Sequence, residues 1–166
     1  MHLTGCTQDA LFEIAQATRD YAVRNPAAFF YQRPMTRADY DAGKKICNPL
    51  TLYDCCQESD GGCAIVVTTP ERARHLKQPG VSIRGVAQCI AKDQEEMTSF
   101  YRPDIARIPE MDLAADEAYA QCGLSAKDID AAVIYDAFTP IVLWQLESWG
   151  FCKYGEAADF VQAGNL

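Results

Sequence analysis

Two adjacent residues that can transfer protons, Tyr135 and Asp136, stand where a short apolar run gives way to a helical pattern. The run 131–134 predicts a strand buried on both faces. After the pair, Thr139 can cap a helix, and Pro140 suits its first turn because its fixed φ is helical. We therefore expect the pair at the edge where α/β proteins bind ligands. The alternative is structural, with a half-buried tyrosine and an aspartate that caps the helix.

Cysteine is the other residue type that could supply a nucleophile, and the chain has eight cysteines, of which Cys55 and Cys56 are adjacent. A catalytic cysteine needs a base or a helix N-terminus that lowers its pKa, and the sequence shows neither beside this pair. We therefore expect most cysteines to pack as small apolar residues. With no Cys-x-x-Cys pair and only two histidines, His2 and His75, the sequence predicts no metal site.

Two arginines, Arg33 and Arg37, lie in the aromatic stretch 29–40. A guanidinium group can pair with phosphate in a bidentate geometry, so both arginines are candidates for binding an anionic ligand. The alternative is an ordinary solvated loop. A Thr-x-x-Asp pattern that starts at Thr36 predicts a short helix to about Lys45.

The net charge of the chain is −8, with 15 Lys and Arg against 23 Asp and Glu. This balance argues against a nucleic-acid-binding surface. No apolar stretch approaches the length of a membrane span, and the N-terminus lacks the basic region and apolar run of a signal peptide. We therefore expect a cytoplasmic protein with no disulfides.

The remaining chain alternates helical and strand patterns. Polar residues at 92–109 predict a long loop, and Gln78-Pro79-Gly80 predicts a break between two parts of the chain. The predicted helices and strands are a helix at 7–24, a strand at 63–69, a helix at 70–77, a strand at 81–90 and a helix from Met111 to Cys122.

Two motifs, in this order along the chain, resemble the thiolase superfamily. The segment 48–67, which begins Asn-Pro-Leu-Thr-Leu-Tyr-Asp-Cys-Cys, is similar to the end of the first thiolase half. The segment 135–140, Tyr-Asp-Ala-Phe-Thr-Pro, resembles the Asn-Glu-Ala-Phe motif that thiolases carry on one wall of the active site. With 144–152 after it, the chain resembles the lipid-transfer-protein branch, which includes sterol carrier protein-x thiolases and steroid side-chain-cleaving aldolases.

The resemblance implies an α/β fold of the thiolase-like layered αβαβα type that is incomplete in this chain. Residues 1–78 would be a first-half remnant, made of the loop domain and a last strand, and 79–166 would start the second half. The chain resembles the middle of a thiolase-like protein, so it is expected to be a fragment or to be completed by other chains. Because lone parallel strands need cover on both faces, we expect a homo-oligomer.

The chemistry that the resemblance implies depends on two replacements. Tyr135 stands in place of the asparagine and Asp136 in place of the glutamate of the thiolase motif, and in the aldolases of this branch tyrosines replace the cysteine–histidine machinery. The implied reaction is retro-aldol cleavage of a β-hydroxyacyl-CoA with a steroid side chain. Tyr135 would move the hydroxyl proton, and Asp136 would orient it or hold a water.

The resemblance also implies the ligands and partners. Arg33 and Arg37 would contact coenzyme A, which enters as part of an acyl-CoA substrate, and no separate cofactor is expected. A small OB-fold, zinc-ribbon protein would be a partner. Two alternatives stay open: an acetyl-CoA acyltransferase whose nucleophile lies outside this chain, and a non-catalytic acyl-CoA- or lipid-binding subunit.

Overall fold

The helices of this chain gather at its two ends, and the middle carries only short elements. The structure is a computed structural model that describes residues 5–92, 102 and 107–166. Most of the predicted loop at 92–109 lies outside the described residues. Among those described, the elements are α1 (Gln8–Arg24), α2 (Arg37–Ala42), β1 (Lys45–Cys47), β2 (Leu50–Thr51), α3 (Pro70–Ala73), α4 (Pro109–Cys122), α5 (Thr139–Ser148) and α6 (Ala157–Gln162).

The main core forms where α1 packs against α5 and α6. The apolar face of α1 has the predicted helical spacing, so that residues one turn apart face the same neighbours. The buried residues of this core are Ala10, Leu11, Ile14, Val142, Leu143, Leu146, Ala157, Ala158 and Val161. The core therefore joins the first helix to the last two. The predicted division at 78/79 stays a prediction, and this core contains residues from both sides of it.

A second cluster fixes α2 and the loop after it. Tyr40 is fully buried with Ala15 and Met35, and its ring meets the edge of Phe12 at 5.3 Å. Thr36 caps α2 through a reciprocal capping box, which confirms the predicted start of this helix. The helix ends at Ala42, before the predicted Lys45.

The antiparallel β1–β2 hairpin is the whole of the sheet structure within the described residues. The buried strands predicted at 63–69, 81–90 and 131–134 are wrong for these residues, because none of the three segments joins a sheet. Most of their apolar side chains are exposed; Val66, for example, is 90% exposed, whereas Ile134 is half-buried against the main core. A strand requires a neighbour for its backbone hydrogen bonds, and sequence pattern alone cannot supply that neighbour.

The segment 81–90 lies against α4 instead of in a sheet. The side-chain amide of Gln121 donates to the carbonyl of Val86 and accepts from its N–H, both at 2.9 Å. The Arg84 guanidinium donates to the carbonyl of Cys122 at 2.9 Å. A Cβ at Gly85 would lie 2.7 Å from the carbonyl oxygen of Ala118, so this contact requires glycine.

The sequence signals predict the end of α4 and the capping box after it, but not the end of α3. The αL residue Gly123 ends α4, and Ser125 and Asp128 form the predicted capping box. Helix α3 ends at Ala73, short of the predicted Lys77. Within the described ranges, no helix has the length and apolar character needed to cross a membrane.

Truncating a leucine buried in the core between α1, α5 and α6 should lower the free energy of unfolding. Leu11 is fully buried, so Leu11→Ala is expected to lower the free energy of unfolding by about 2–5 kcal/mol. Leu113 on α4 is 45% exposed, and Leu113→Ala is the matched control, with a change below about 0.5 kcal/mol. Chemical denaturation measures both. Equal losses from the two variants would contradict this assignment of the core.

Candidate active site

Tyr135 and Asp136 lie in the turn that leads into α5, as predicted. The Tyr135 side chain is 67% exposed. Its carbonyl oxygen accepts a hydrogen bond of 2.6 Å from Nε2 of Gln145, on α5. The backbone of the turn is thus fixed to the helix while the phenol stays accessible.

The cap predicted for α5 is wrong. Phe138 occupies the N-cap position, no side chain caps there, and Thr139 is the first helical residue. The Thr139 hydroxyl instead donates to Oδ1 of Asp54 at 2.8 Å. A capping hydroxyl has to accept from the N–H groups of the first turn, whereas Thr139 is itself the first helical residue, and its hydroxyl donates to the buried carboxylate.

Tyr135 and Asp136 line different cavities. Tyr135 lines an apolar cavity of about 590 Å³ between α4 and α5, together with Trp144 and Trp149. Asp136 lines two others, of about 630 and 810 Å³. Successive residues of an extended chain project to opposite sides, which accounts for the separation. The pair therefore shares a turn but not a cavity.

A buried carboxylate that the sequence analysis did not identify, Asp54, lies behind this turn. Asp54 is 1% exposed. It accepts from the hydroxyl of Tyr40 (2.8 Å), from the N–H and hydroxyl of Thr51 (2.7 and 2.9 Å) and from the hydroxyl of Thr139. A carboxylate has about four lone-pair sites, and these four donors match them.

The donors around Asp54 come from separate parts of the chain. Tyr40 belongs to α2, Thr51 to β2 and Thr139 to α5. Burial and the hydrogen bond to Asp54 raise the pKa of the Tyr40 phenol above its ordinary value, so that this hydroxyl stays protonated and donates. The only sequence signal for the network is the Thr51-x-x-Asp54 spacing of a capping box.

The backbone adds a second link between the same regions. The N–H of Cys56 donates to the carbonyl of Ala137 at 3.0 Å, and Cys55 and Phe138 form an antiparallel bridge. The segment that follows Asp54 therefore pairs with the residues that precede α5.

Cys55 is placed unfavourably for a nucleophile. Burial, with the neighbouring negative charge of Asp54, raises the pKa of the Cys55 thiol. The thiolate fraction at neutral pH is thereby reduced, which agrees with the sequence interpretation of Cys55 as a packing residue.

The two predicted phosphate-binding arginines lie away from the three cavities described above. Arg37 forms ion pairs with Asp9 (2.6 Å) and Asp41 (2.9 Å). The exposed Arg33 has its guanidinium 5.1 Å from the centre of the Phe29 ring. Neither arginine lines the cavities at Tyr135 and Asp136.

The arginine that does line a cavity with Asp136 is Arg19, on α1. Its guanidinium lies 3.8 Å from the centre of the Phe30 ring and donates to the carbonyl of Arg33 at 3.1 Å. The sequence could have indicated the position of Arg19, because Arg19 follows Ala15 by about one helical turn and therefore lies on the same side of α1. Across the ranges that the structure covers, no three His, Cys, Asp or Glu side chains are arranged to hold a metal.

Comparison with known proteins gives matches along the whole chain. Residues 91–166 match the family model described as thiolase C-terminal domain-like. The chain is 52% identical over its full length to a steroid side-chain-cleaving aldolase of Thermomonospora curvata, of which it covers 42%. It is 48% identical to a 17-hydroxy-3-oxo-4-pregnene-20-carboxyl-CoA lyase of Mycobacterium tuberculosis, of which it covers 43%.

A solved structure named Ltp2-ChsH2(DUF35) aldolase matches the whole chain with a TM-score of 0.96 and 52% identity, and the match covers 44% of that structure's chain. The match confirms the predicted thiolase-like α/β class, incomplete in this chain, of which the described residues hold the helices and one small sheet. The chain spans about two fifths of the length of the curated relatives it matches.

The raised pKa of Cys55 predicts an order of thiol reactivity. At pH 8 iodoacetamide is expected to alkylate the exposed Cys56 before Cys55, because a raised pKa leaves fewer Cys55 thiolates, and Cys55 is expected to react only as the pH rises further. Mass-spectrometric mapping of the alkylated peptides measures the order. In denaturant the difference should disappear. Faster alkylation of Cys55 in the folded protein would contradict the assignment.

Proposed function

We propose that this chain, whose residues 91–166 match the thiolase C-terminal domain-like family, belongs to the thiolase superfamily and is part of an enzyme that cleaves a carbon–carbon bond of a β-hydroxyacyl-CoA by a retro-aldol reaction. The names of two relatives, an aldolase and a CoA lyase, support this reaction class. The observation that carries the proposal is the accessible Tyr135 phenol at the turn before α5, in a chain 52% identical to that aldolase. The proposed substrate carries a steroid side chain.

In the proposed reaction Tyr135 acts on the β-hydroxyl group. Its phenol oxygen takes the hydroxyl proton and passes its own proton to a water molecule as the bond between the α and β carbons breaks. The hydroxyl carbon becomes a carbonyl, and the bonding electron pair passes to the thioester as an enolate. The enolate takes a proton from water at its α carbon, which completes the second product and returns the proton released in the first step. Asp136, which lines the neighbouring cavities, is proposed to hold a water.

Coenzyme A is proposed to enter as part of the substrate, without a separate cofactor. Arg33 is the better of the two proposed phosphate contacts, since it is exposed while Arg37 shares its charge with two carboxylates. A phosphate would have to compete with Asp9 and Asp41 for Arg37.

A second subunit is proposed as a partner of the whole protein, together with self-association. The matched structure is named for two components, Ltp2 and ChsH2(DUF35), which supports a partner of this kind. The proposed partner is a small OB-fold, zinc-ribbon protein. The cytoplasmic location stays a prediction from the sequence.

The proposal predicts that removing the phenol oxygen of Tyr135 slows cleavage of the substrate. In the full-length protein, Tyr135→Phe is expected to lower the kcat for cleavage of 17-hydroxy-3-oxo-4-pregnene-20-carboxyl-CoA by about 10²–10⁴-fold, because the proton of the hydroxyl loses its acceptor. Detection of the ketone product by chromatography measures the rate.

Tyr31→Phe is the matched control, since Tyr31 is also exposed but lines none of the three cavities, and it is expected to retain wild-type kcat. Wild-type kcat in Tyr135→Phe would reject Tyr135 as the group that takes the hydroxyl proton. No cleavage by the wild-type protein would reject the reaction and favour the acyltransferase alternative, in which a cysteine outside this chain does the chemistry.

A further inference from the structure

The three consecutive residues Ala137, Phe138 and Thr139, just after Tyr135, each contact another segment of the chain. The carbonyl of Ala137 accepts from Cys56, Phe138 bridges to Cys55, and the Thr139 hydroxyl donates to Asp54. All three contacts come from the continuous segment 54–56. The side-chain contact joins residues 85 positions apart.

The burial of the Asp54 carboxylate is not explained by stability alone. Removing a carboxylate from water costs free energy that its hydrogen bonds only balance, and an apolar residue of similar size would stabilise a core at least as well. Four directional hydrogen bonds give each donor a defined position, whereas apolar packing does not. Thr139 also contributes its hydroxyl to this network while α5 has no side-chain cap.

We propose that Asp54 and Thr139 are positioning residues for Tyr135: their hydrogen bond sets where the turn 135–138 enters α5, and thereby where the phenol meets the substrate. This inference rests on the proposed function. Gln145 fixes the carbonyl of Tyr135 from the helix side, so the turn is held between α5 and segment 54–56.

A positioning role differs measurably from a role in folding. A displacement of about 1 Å at a reacting group can lower a rate by about 10²-fold, although binding of the remote part of the substrate is retained. Loss of the hydrogen bond should therefore lower kcat and leave KM unchanged.

The test uses two variants of Thr139 in the full-length protein. Thr139→Val keeps the shape of the side chain and removes the hydroxyl, and Thr139→Ser keeps the hydroxyl. Thr139→Val is expected to lower the kcat for cleavage of the pregnene-carboxyl-CoA substrate by about 10–100-fold with KM within about twofold of wild type, and Thr139→Ser is expected to restore kcat to within about threefold. Wild-type kcat in Thr139→Val would overturn the inference, as would an equal loss in Thr139→Ser.

Hydrogen–deuterium exchange gives a readout that does not depend on turnover. Amides of the peptide that spans 135–141 are expected to exchange at least about tenfold faster in Thr139→Val than in Thr139→Ser, while those of α1 are unchanged. Unchanged exchange at 135–141, or an equal increase throughout α1, would overturn the inference.

The same set of proteins separates the two proposals. If wild type does not cleave the substrate, the proposed function fails, and if Tyr135→Phe has wild-type kcat, the role of Tyr135 fails. In either case exchange at 135–141 alone decides whether the Asp54–Thr139 bond positions the turn. If Tyr135→Phe is inactive while Thr139→Val matches wild type in kcat, the proposed function stands and the inference fails.

Discussion

The buried carboxylate of Asp54 is the constraint on which the rest of this structure depends. Its four donors come from Tyr40, Thr51 and Thr139, which belong to three elements separated along the chain. A carboxylate that is 1% exposed must have its lone pairs satisfied, so none of these elements can move without leaving a polar group unpaired. The network therefore couples the loop around α2 to the start of α5.

This coupling works together with the apolar core. Helix α1 packs on α5 and α6 through its buried face and supports the α2 cluster through Ala15. The core fixes where α5 lies, and the Asp54 network fixes where α5 begins. The turn between them places the phenol of Tyr135 and the carboxylate of Asp136 in separate cavities. The proton transfer proposed for Tyr135 would therefore take place in a different cavity from the one that Asp136 lines with Arg19.

Local signals predicted α1, α2, α4 and α5, but the sequence did not predict α6, whose buried residues complete the main core. Capping boxes at Thr36 and Ser125 were readable because their residues are three apart. The turn at Tyr135 was found because apolar periodicity changes there. The apolar segments at 63–69 and 81–90 have strand patterns, but pairing depends on neighbours that pattern does not specify. Local sequence predicts Thr139 as a helix cap, because the carboxylate to which its hydroxyl donates, Asp54, lies 85 residues away.

The most direct measurement of the central claim is a structure of the full-length protein with a thioether analogue of its proposed substrate. Such an analogue keeps the β-hydroxyl group but cannot form the enolate, so it should remain bound uncleaved. The account predicts the phenol oxygen of Tyr135 within hydrogen-bond distance of that hydroxyl, about 2.6–3.2 Å. A hydroxyl beyond about 5 Å from Tyr135, or a cysteine thiol in its place, would contradict the account.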